Sequence, residues 1–207
     1  KVKKVGILDI SIGNLQSLFN SVEEIGCDPI IINDIAEIEN ISHLLIPGVG
    51  NFKAFTEKLK EKNFFFKLKK KISELPTMGI CLGMQLFCKA SYEDDYNEGL
   101  NFFDYEIKKI NVSKNIRVPH VGWNSVEFIK EHFLFNNIKN FRDFYFTHSY
   151  YVSETKESKD IYGLTEYGEK FPSILINNNI IGVQFHPEKS QKNGLQLIEN
   201  FCNWKIS

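Results

Sequence analysis

The stretch Met78-Gly79-Ile80-Cys81-Leu82-Gly83-Met84-Gln85 follows Pro76-Thr77, begins as a short apolar run and then changes character. A short apolar run bounded by turn residues reads as a buried strand. Cys81 sits between two glycines in a G-x-C-x-G pattern. This is the thiol counterpart of the strand–nucleophile–helix elbow, where small flanking residues permit a sharp turn that exposes the nucleophile. A helix starting after Cys81 would place unpaired N–H groups and the positive end of its dipole beside the sulphur. Taken alone, a cysteine in such a run is ordinarily a small core residue. A second stretch, Gln184-Phe185-His186-Pro187-Glu188-Lys189-Ser190, changes that weighting.

His186 follows the apolar run 180–185 directly, so it should emerge at a strand end, as Cys81 does. In extended chain, residues i and i+2 project to the same side, which brings Glu188 toward the imidazole, with Pro187 limiting the backbone between them. A carboxylate on one ring nitrogen fixes the tautomer and turns the other nitrogen to the thiol. Cys81, His186 and Glu188 together support acyl transfer: thiolate attack on an amide, a thioester, then hydrolysis. In isolation His186-Pro187-Glu188 reads as a turn with an exposed ion pair.

Working outward, residues 5–10 form a continuous apolar run suited to a buried parallel strand. A turn at Ser11-Ile12-Gly13-Asn14 leads into a helix with Leu15, Leu18, Phe19, Val22 and Ile25 at helical spacing, ending near Gly26. Residues 29–32 make a second strand, and 41–46 a third that stops at Pro47-Gly48-Val49-Gly50. Glycines at a strand's end let backbone N–H groups point into a site, as an oxyanion hole requires, although P-G-x-G alone is more simply a β-turn. Residues 51–60 and 64–73 read as amphipathic helices leading to the Cys81 elbow. Strands alternating with helices predict a doubly wound, mostly parallel α/β sheet, with sites at the strands' carboxyl ends.

The polar, acidic residues 91–99 read as a surface loop. Beyond them the texture changes to short β-like runs at 102–107, 123–129, 143–146, 161–165, 174–176 and 180–185, with Asn177-Asn178-Asn179 as a hairpin turn. This half is expected to add antiparallel strands to the same sheet, and 194–204 to close the chain with a helix. One domain over residues 1–207 is the expectation.

Hydrophobic content of 43% and charged content of 25% are those of an ordinary globular protein. A formal net charge of -1 offers no electrostatic case for binding nucleic acid or anionic membrane. Lys67-Leu68-Lys69-Lys70-Lys71 reads as a solvated helix face. Cys27, Cys81, Cys88 and Cys202 include no C-x-x-C pair, which argues against zinc and thioredoxin-like chemistry. Cys81 and Cys88, two turns apart if on one helix, are too distant to bridge. With no signal peptide and no long apolar run, a reducing cytoplasm is expected. His43, His120, His132 and His148 show no metal-ligand spacing. From spacing alone, His148 in Phe146-Thr147-His148-Ser149-Tyr150 reads as structural.

Gly79-Ile80-Cys81-Leu82-Gly83-Met84-Gln85 together with Gln184-Phe185-His186-Pro187-Glu188 resembles the class I (triad) glutamine amidotransferases. Within that class the chain is similar to the glutaminase subunits of imidazole glycerol phosphate synthase. Pro47-Gly48-Val49-Gly50, Met84, Pro119-His120-Val121-Gly122-Trp123-Asn124 and His186-Pro187-Glu188-Lys189-Ser190 carry that likeness, which runs essentially end to end. The resemblance implies Cys81 as nucleophile, His186 as general base and then acid, and Glu188 as its orienting partner. It implies an oxyanion hole from the backbone of Leu82 and of Val49 and Gly50, the latter loop needing rearrangement that ties activity to acceptor binding. Gly48, Gly50, Gln85 and the strand Thr147 to Tyr150, with His148, Ser149 and Tyr150 foremost, would bind glutamine. Asn14, Trp123 and Tyr145 would face a (β/α)8-barrel subunit that receives ammonia, and no metal or cofactor is implied.

Three departures stand out: Val121 in place of methionine, Thr147 in place of valine, and Asn101-Phe102-Phe103-Asp104 after Gly99-Leu100. None touches the triad. They leave room for a paralogue supplying ammonia to a sugar amidotransferase in surface-polysaccharide synthesis. A pyridoxal-phosphate-synthase-type glutaminase would need a Cys-Ala-Gly elbow, which is absent. A stand-alone thiol hydrolase would need no partner face around Trp123. A non-catalytic regulatory subunit usually lacks the nucleophile or the base, and both are present here.

Overall fold

The computed structural model describes residues 2–10, 13, 15–112, 116–153 and 158–205. Asn14, expected at a partner face, lies outside the described residues. The first part of the chain alternates as expected: β1 (Lys4–Leu8), α1 (Gln16–Glu24), β2 (Asp28–Ile32), β3 (His43–Gly48), α2 (Phe52–Glu61), α3 (Phe65–Ile72) and β4 (Thr77–Cys81). β1 pairs in parallel with β2 and β3, and β3 with β4. Helix α2 begins where Asn51 accepts a hydrogen bond from Ala54 N at 2.9 Å, and buries Phe52, Phe55 and Leu59 on one face. Helix α3 buries Phe65, Leu68 and Ile72 and turns its lysines outward.

After the elbow, α4 (Leu82–Leu86) is only five residues long, and Cys88 lies not on it but in β5 (Cys88–Ser91). The expected helix dipole at Cys81 is correspondingly small, because it grows with the number of aligned peptides. The chain continues through β6 (Asn97–Glu98), β7 (Phe103–Lys109), β8 (His120–Phe128), β9 (Arg142–His148), β10 (Tyr150–Val152), β11 (Ile161–Tyr167), β12 (Glu169–Asn177), β13 (Ile180–Val183) and α5 (Gln191–Asn203).

Among the described residues the large sheet has nine strands in the order β2-β1-β3-β4-β13-β12-β11-β8-β9. The expectation of a single extended sheet needs correction: β10, β7, β5 and β6 form a second, four-stranded sheet. Alternate residues of β3 separate the two cores, since strand side chains alternate between faces. Leu44 and Ile46 join α2, α3 and the small sheet, whereas Leu45 joins α1, α5 and the antiparallel strands.

Two features position the site. The Asn178 turn, at φ +51°, returns β13 antiparallel to β12 and parallel to β4, with Val183 opposite Ile80. Cys81 and residues 184–186 therefore leave the sheet at the same end. Strand β9 then curls back onto the segment after β13, where His186 N donates to Tyr145 O at 2.8 Å.

Candidate active site

Cys81 is nearly buried and has φ +54° and ψ −107°, a conformation that non-glycine residues adopt only under constraint. The constraint is steric. A Cβ on Gly79 would lie 2.5 Å from the Gly83 carbonyl carbon, and one on Gly83 only 1.9 Å from Ile46 O. The two glycines thus let strand β4, helix α4 and strand β3 meet backbone to backbone, with the positive-φ turn at Cys81 between them.

His186 is held by hydrogen bonds instead. Its backbone N–H bonds Tyr145 O, and the Ser190 hydroxyl donates to His186 O at 2.6 Å while accepting from Tyr145 N at 2.9 Å. Glu188 reaches His186 as expected, with Oε1 2.7 Å from Nδ1, but through a 3-10 turn at Pro187–Lys189 rather than extended chain. Both side chains are buried. His186 Nε2 and Glu188 Oε2 have no hydrogen-bond partner among the described residues. Burial opposes protonation of His186, but the nearby Cys81 sulphur and the Glu188 carboxylate outweigh it and raise its pKa to about 10. The direction of the shift favours the imidazolium form beside the Cys81 sulphur.

A cavity of about 450 Å³ opens over the thiol. Val49, Gly50, Leu82 and Gln85 line it on the elbow side, and His148, Ser149 and Tyr150 on the other. Gly48 is not on its wall; it sits behind, opposite Cys81 in the β3–β4 register, where a Cβ would press within 2.6 Å of Phe55. Gly50 has φ +99°, and Gly13 lies against the Val49 side chain. Trp123 and Tyr145 face each other across β8 and β9 with ring centroids 6.0 Å apart, and Trp123 and Val121 are about half exposed.

Sequence reasoning missed three lining residues, Glu93, Pro119 and Lys189. Glu93 corrects the reading of 91–99 as a mere surface loop. Its carboxylate accepts from Phe52 N at 2.9 Å, closing the start of α2, and supplies negative charge to the cavity wall. Only the chain's return through β5 and β6 brings it there, so no local pattern announces it.

The pairing of β8 with β9 sets His120 opposite His148. His148 Nδ1 bonds Tyr150 O at 2.8 Å, its Nε2 bonds His120 Nδ1 at 2.9 Å, and His120 Nε2 lies 3.2 Å from Asn124 Nδ2. One assignment satisfies the chain: both rings neutral, each with its proton on Nδ1. Burial drives both that way, lowering His120 to about 4 and His148 to about 3. A larger, more open depression of about 710 Å³ near Phe128, His132 and Phe135 has neither cysteine nor serine on its wall.

Geometry of this kind, a thiol at a strained elbow with a carboxylate-bound imidazole one strand away, can be set beside known proteins. The sequence pattern of the family described as Glutamine amidotransferase class-I matches residues 6–204. Imidazole glycerol phosphate synthase subunit HisH 1 of Campylobacter jejuni is 41% identical over 200 residues, covering 96% of this chain and 98% of its own. Subunit HisH 2 of Methanococcus maripaludis is 43% identical, with 95% and 98% covered. Among solved structures, PurLQS from Thermotoga maritima superposes with a TM-score of 0.73 at 13% identity, covering 98% of this chain and 99% of the matched one. A glutamine amidotransferase from the same organism gives 0.63 at 16% identity, covering 96% and 82%. At such identities these two speak for the fold, while the near-complete matches above them speak for descent: the chain belongs to the class-I glutamine amidotransferases.

Proposed function

We propose that this chain hydrolyses glutamine to glutamate and ammonia, and delivers the ammonia to a (β/α)8-barrel synthase subunit of histidine biosynthesis. The observation that carries the reading is the convergence of Cys81 with the His186–Glu188 pair at adjoining strand ends, beneath a cavity of amino-acid size. The Cys81 thiolate attacks the side-chain amide carbon of glutamine, and the oxyanion is met by backbone N–H groups of Leu82 and of the Val49–Gly50 turn. His186 gives its Nε2 proton to the departing nitrogen as the C–N bond breaks, leaving a γ-glutamyl thioester and ammonia. The same nitrogen then takes a proton from water as water attacks the thioester and the C–S bond breaks, releasing glutamate and restoring the thiolate–imidazolium pair. Glu188 stays ionised and holds the ring in orientation.

Gln85, the backbone of 148–150 and the Glu93 carboxylate are the groups proposed to hold the substrate, Glu93 facing its α-ammonium. The exposed Trp123, with Tyr145 beside it, is the proposed contact with the barrel. The names of the relatives support imidazole glycerol phosphate synthesis as the destination, with imidazole glycerol phosphate and aminoimidazole carboxamide ribonucleotide as products. The departures at Val121, Thr147 and residues 101–104 are the reason for keeping the polysaccharide paralogue as a second destination.

Glutamate release measured for the chain alone, with the barrel subunit, and with the barrel and its histidine-pathway acceptor tests this. Slow release alone and strong stimulation by the acceptor is the expected result. Release that needs the barrel but ignores the acceptor transfers the chain to the paralogous pathway. Brisk activity alone overturns the proposed dependence on a partner.

A further inference from the structure

Behind the thiol lies a run of buried amides whose orientation is fixed from one end. The Tyr150 carbonyl can only accept, and it takes a hydrogen bond from Gln85 Nε2 at 3.1 Å. The second hydrogen of that nitrogen goes to Gln184 Oε1, also at 3.1 Å. With its oxygen so engaged, Gln184 must turn its own Nε2 to the other side, where it lies 3.6 Å from the Cys81 sulphur. Gln184 is fully buried, and no exchange with water competes for this donor. The Tyr150 carbonyl is itself braced by His148 Nδ1 at 2.8 Å, and through His148 by His120 and Asn124.

The surroundings of the sulphur thus contain opposed partners. Thr147 O, 3.8 Å away, can only accept and favours the thiol, which corrects the expectation that none of the departures from the usual pattern touches the triad. Gln184 Nε2 can only donate and favours the thiolate. The donor is held in place before any charge forms, so ionisation demands no reorganisation there. We propose that Gln184 is a further catalytic residue, its amide N–H stabilising the Cys81 thiolate, and that Gln85 and the Tyr150 carbonyl are the positioning groups that present it. This rests on Cys81 being the nucleophile. It assigns Gln184 a role that the Cys-His-Glu set alone leaves out, and gives Gln85 a duty beyond contact with substrate.

The test is alkylation of Cys81 by iodoacetamide as a function of pH in the full chain, read on the Cys81 peptide by mass spectrometry. Gln184→Met keeps length and removes the donor. The midpoint of its profile should move up by about one unit, with an about tenfold slower reaction below the midpoint. Gln85→Met frees the Gln184 amide to reverse, and should move the midpoint the same way by less. If Gln184→Met does not fold, Gln85→Met decides alone, with thermal unfolding as the control in both. A folded variant whose midpoint stays at the wild-type value overturns the proposal. Because alkylation reads the sulphur directly, this failure is distinct from failure of the glutaminase reading, which glutamine turnover by Cys81→Ala would reveal.

Discussion

Cys81 and His186 leave neighbouring parallel strands at the same end of one sheet, yet they are held by different means. Cys81 is placed by backbone: a positive φ, two glycines in van der Waals contact, and a strand carbonyl against Gly83. His186 is placed by polar bonds from Ser190, Tyr145 and Glu188. The difference teaches what each position tolerates. The elbow stores its precision in packing, so changes around it should register as lost stability. The histidine stores its precision in hydrogen bonds and charge, so changes around it should register as lost rate and altered pH dependence.

The largest effect separates chemistry from scaffold. Cys81→Ala should bring glutamate release to background, a loss on the order of 10⁴-fold or more, while far-ultraviolet circular dichroism stays unchanged. Next comes the packing side of the comparison. Gly83→Ala forces a Cβ against Ile46 O and should cost about 3 kcal/mol in urea unfolding. A neutral result there would show that strand β3 yields and that the elbow is not rigid.

The polar side is sharpened by Glu188→Gln, which should slow glutamate release on the order of 100-fold with little change in stability. Its pH profile carries a sign. The raised His186 pKa means that the imidazolium's contribution to the rate is present below about pH 10 and is lost as pH rises through that value. Removing the carboxylate charge should move that alkaline limb down, and an unmoved limb would dissociate Glu188 from His186.

The smallest effect concerns the cavity's far wall. His120 and His148 are buried neutral, so the unfolded chain binds more protons below pH 6.5 and stability falls as pH drops toward 4 and then 3. His120→Phe should flatten that acid slope by roughly 2 kcal/mol between pH 6.5 and 4.5, measured as urea unfolding at both values. An unchanged slope would mean that these rings are not held neutral.

The two halves of the site were also legible to different degrees. Cys81 could be read because its elbow is a local demand: only glycine fits at positions 79 and 83, and that leaves a mark in five residues. Glu188 could be read because it stands two positions from His186, a spacing that survives even though the chain makes a 3-10 turn. The alternation of strands and helices through β4 was legible for the same reason, since each element is patterned over its own length. The far wall was not. Glu93 reaches the cavity only because β5 and β6 build a second sheet, and an acidic run carries no trace of that return. His120 and His148 stand 28 residues apart and meet only through the register of β8 with β9. Neither their contact nor the Gln184–Cys81 bond has a local signature, because cross-strand neighbours are chosen by tertiary pairing rather than by spacing.

The most direct test of the central claim is to trap the covalent intermediate. The chain, with its barrel subunit, would be mixed with isotopically labelled glutamine, quenched in acid and digested for mass spectrometry. A γ-glutamyl group on the Cys81 peptide, absent in Cys81→Ala, is the predicted result. Labelled glutamate released with the adduct on another residue, or with turnover intact in Cys81→Ala, would contradict it.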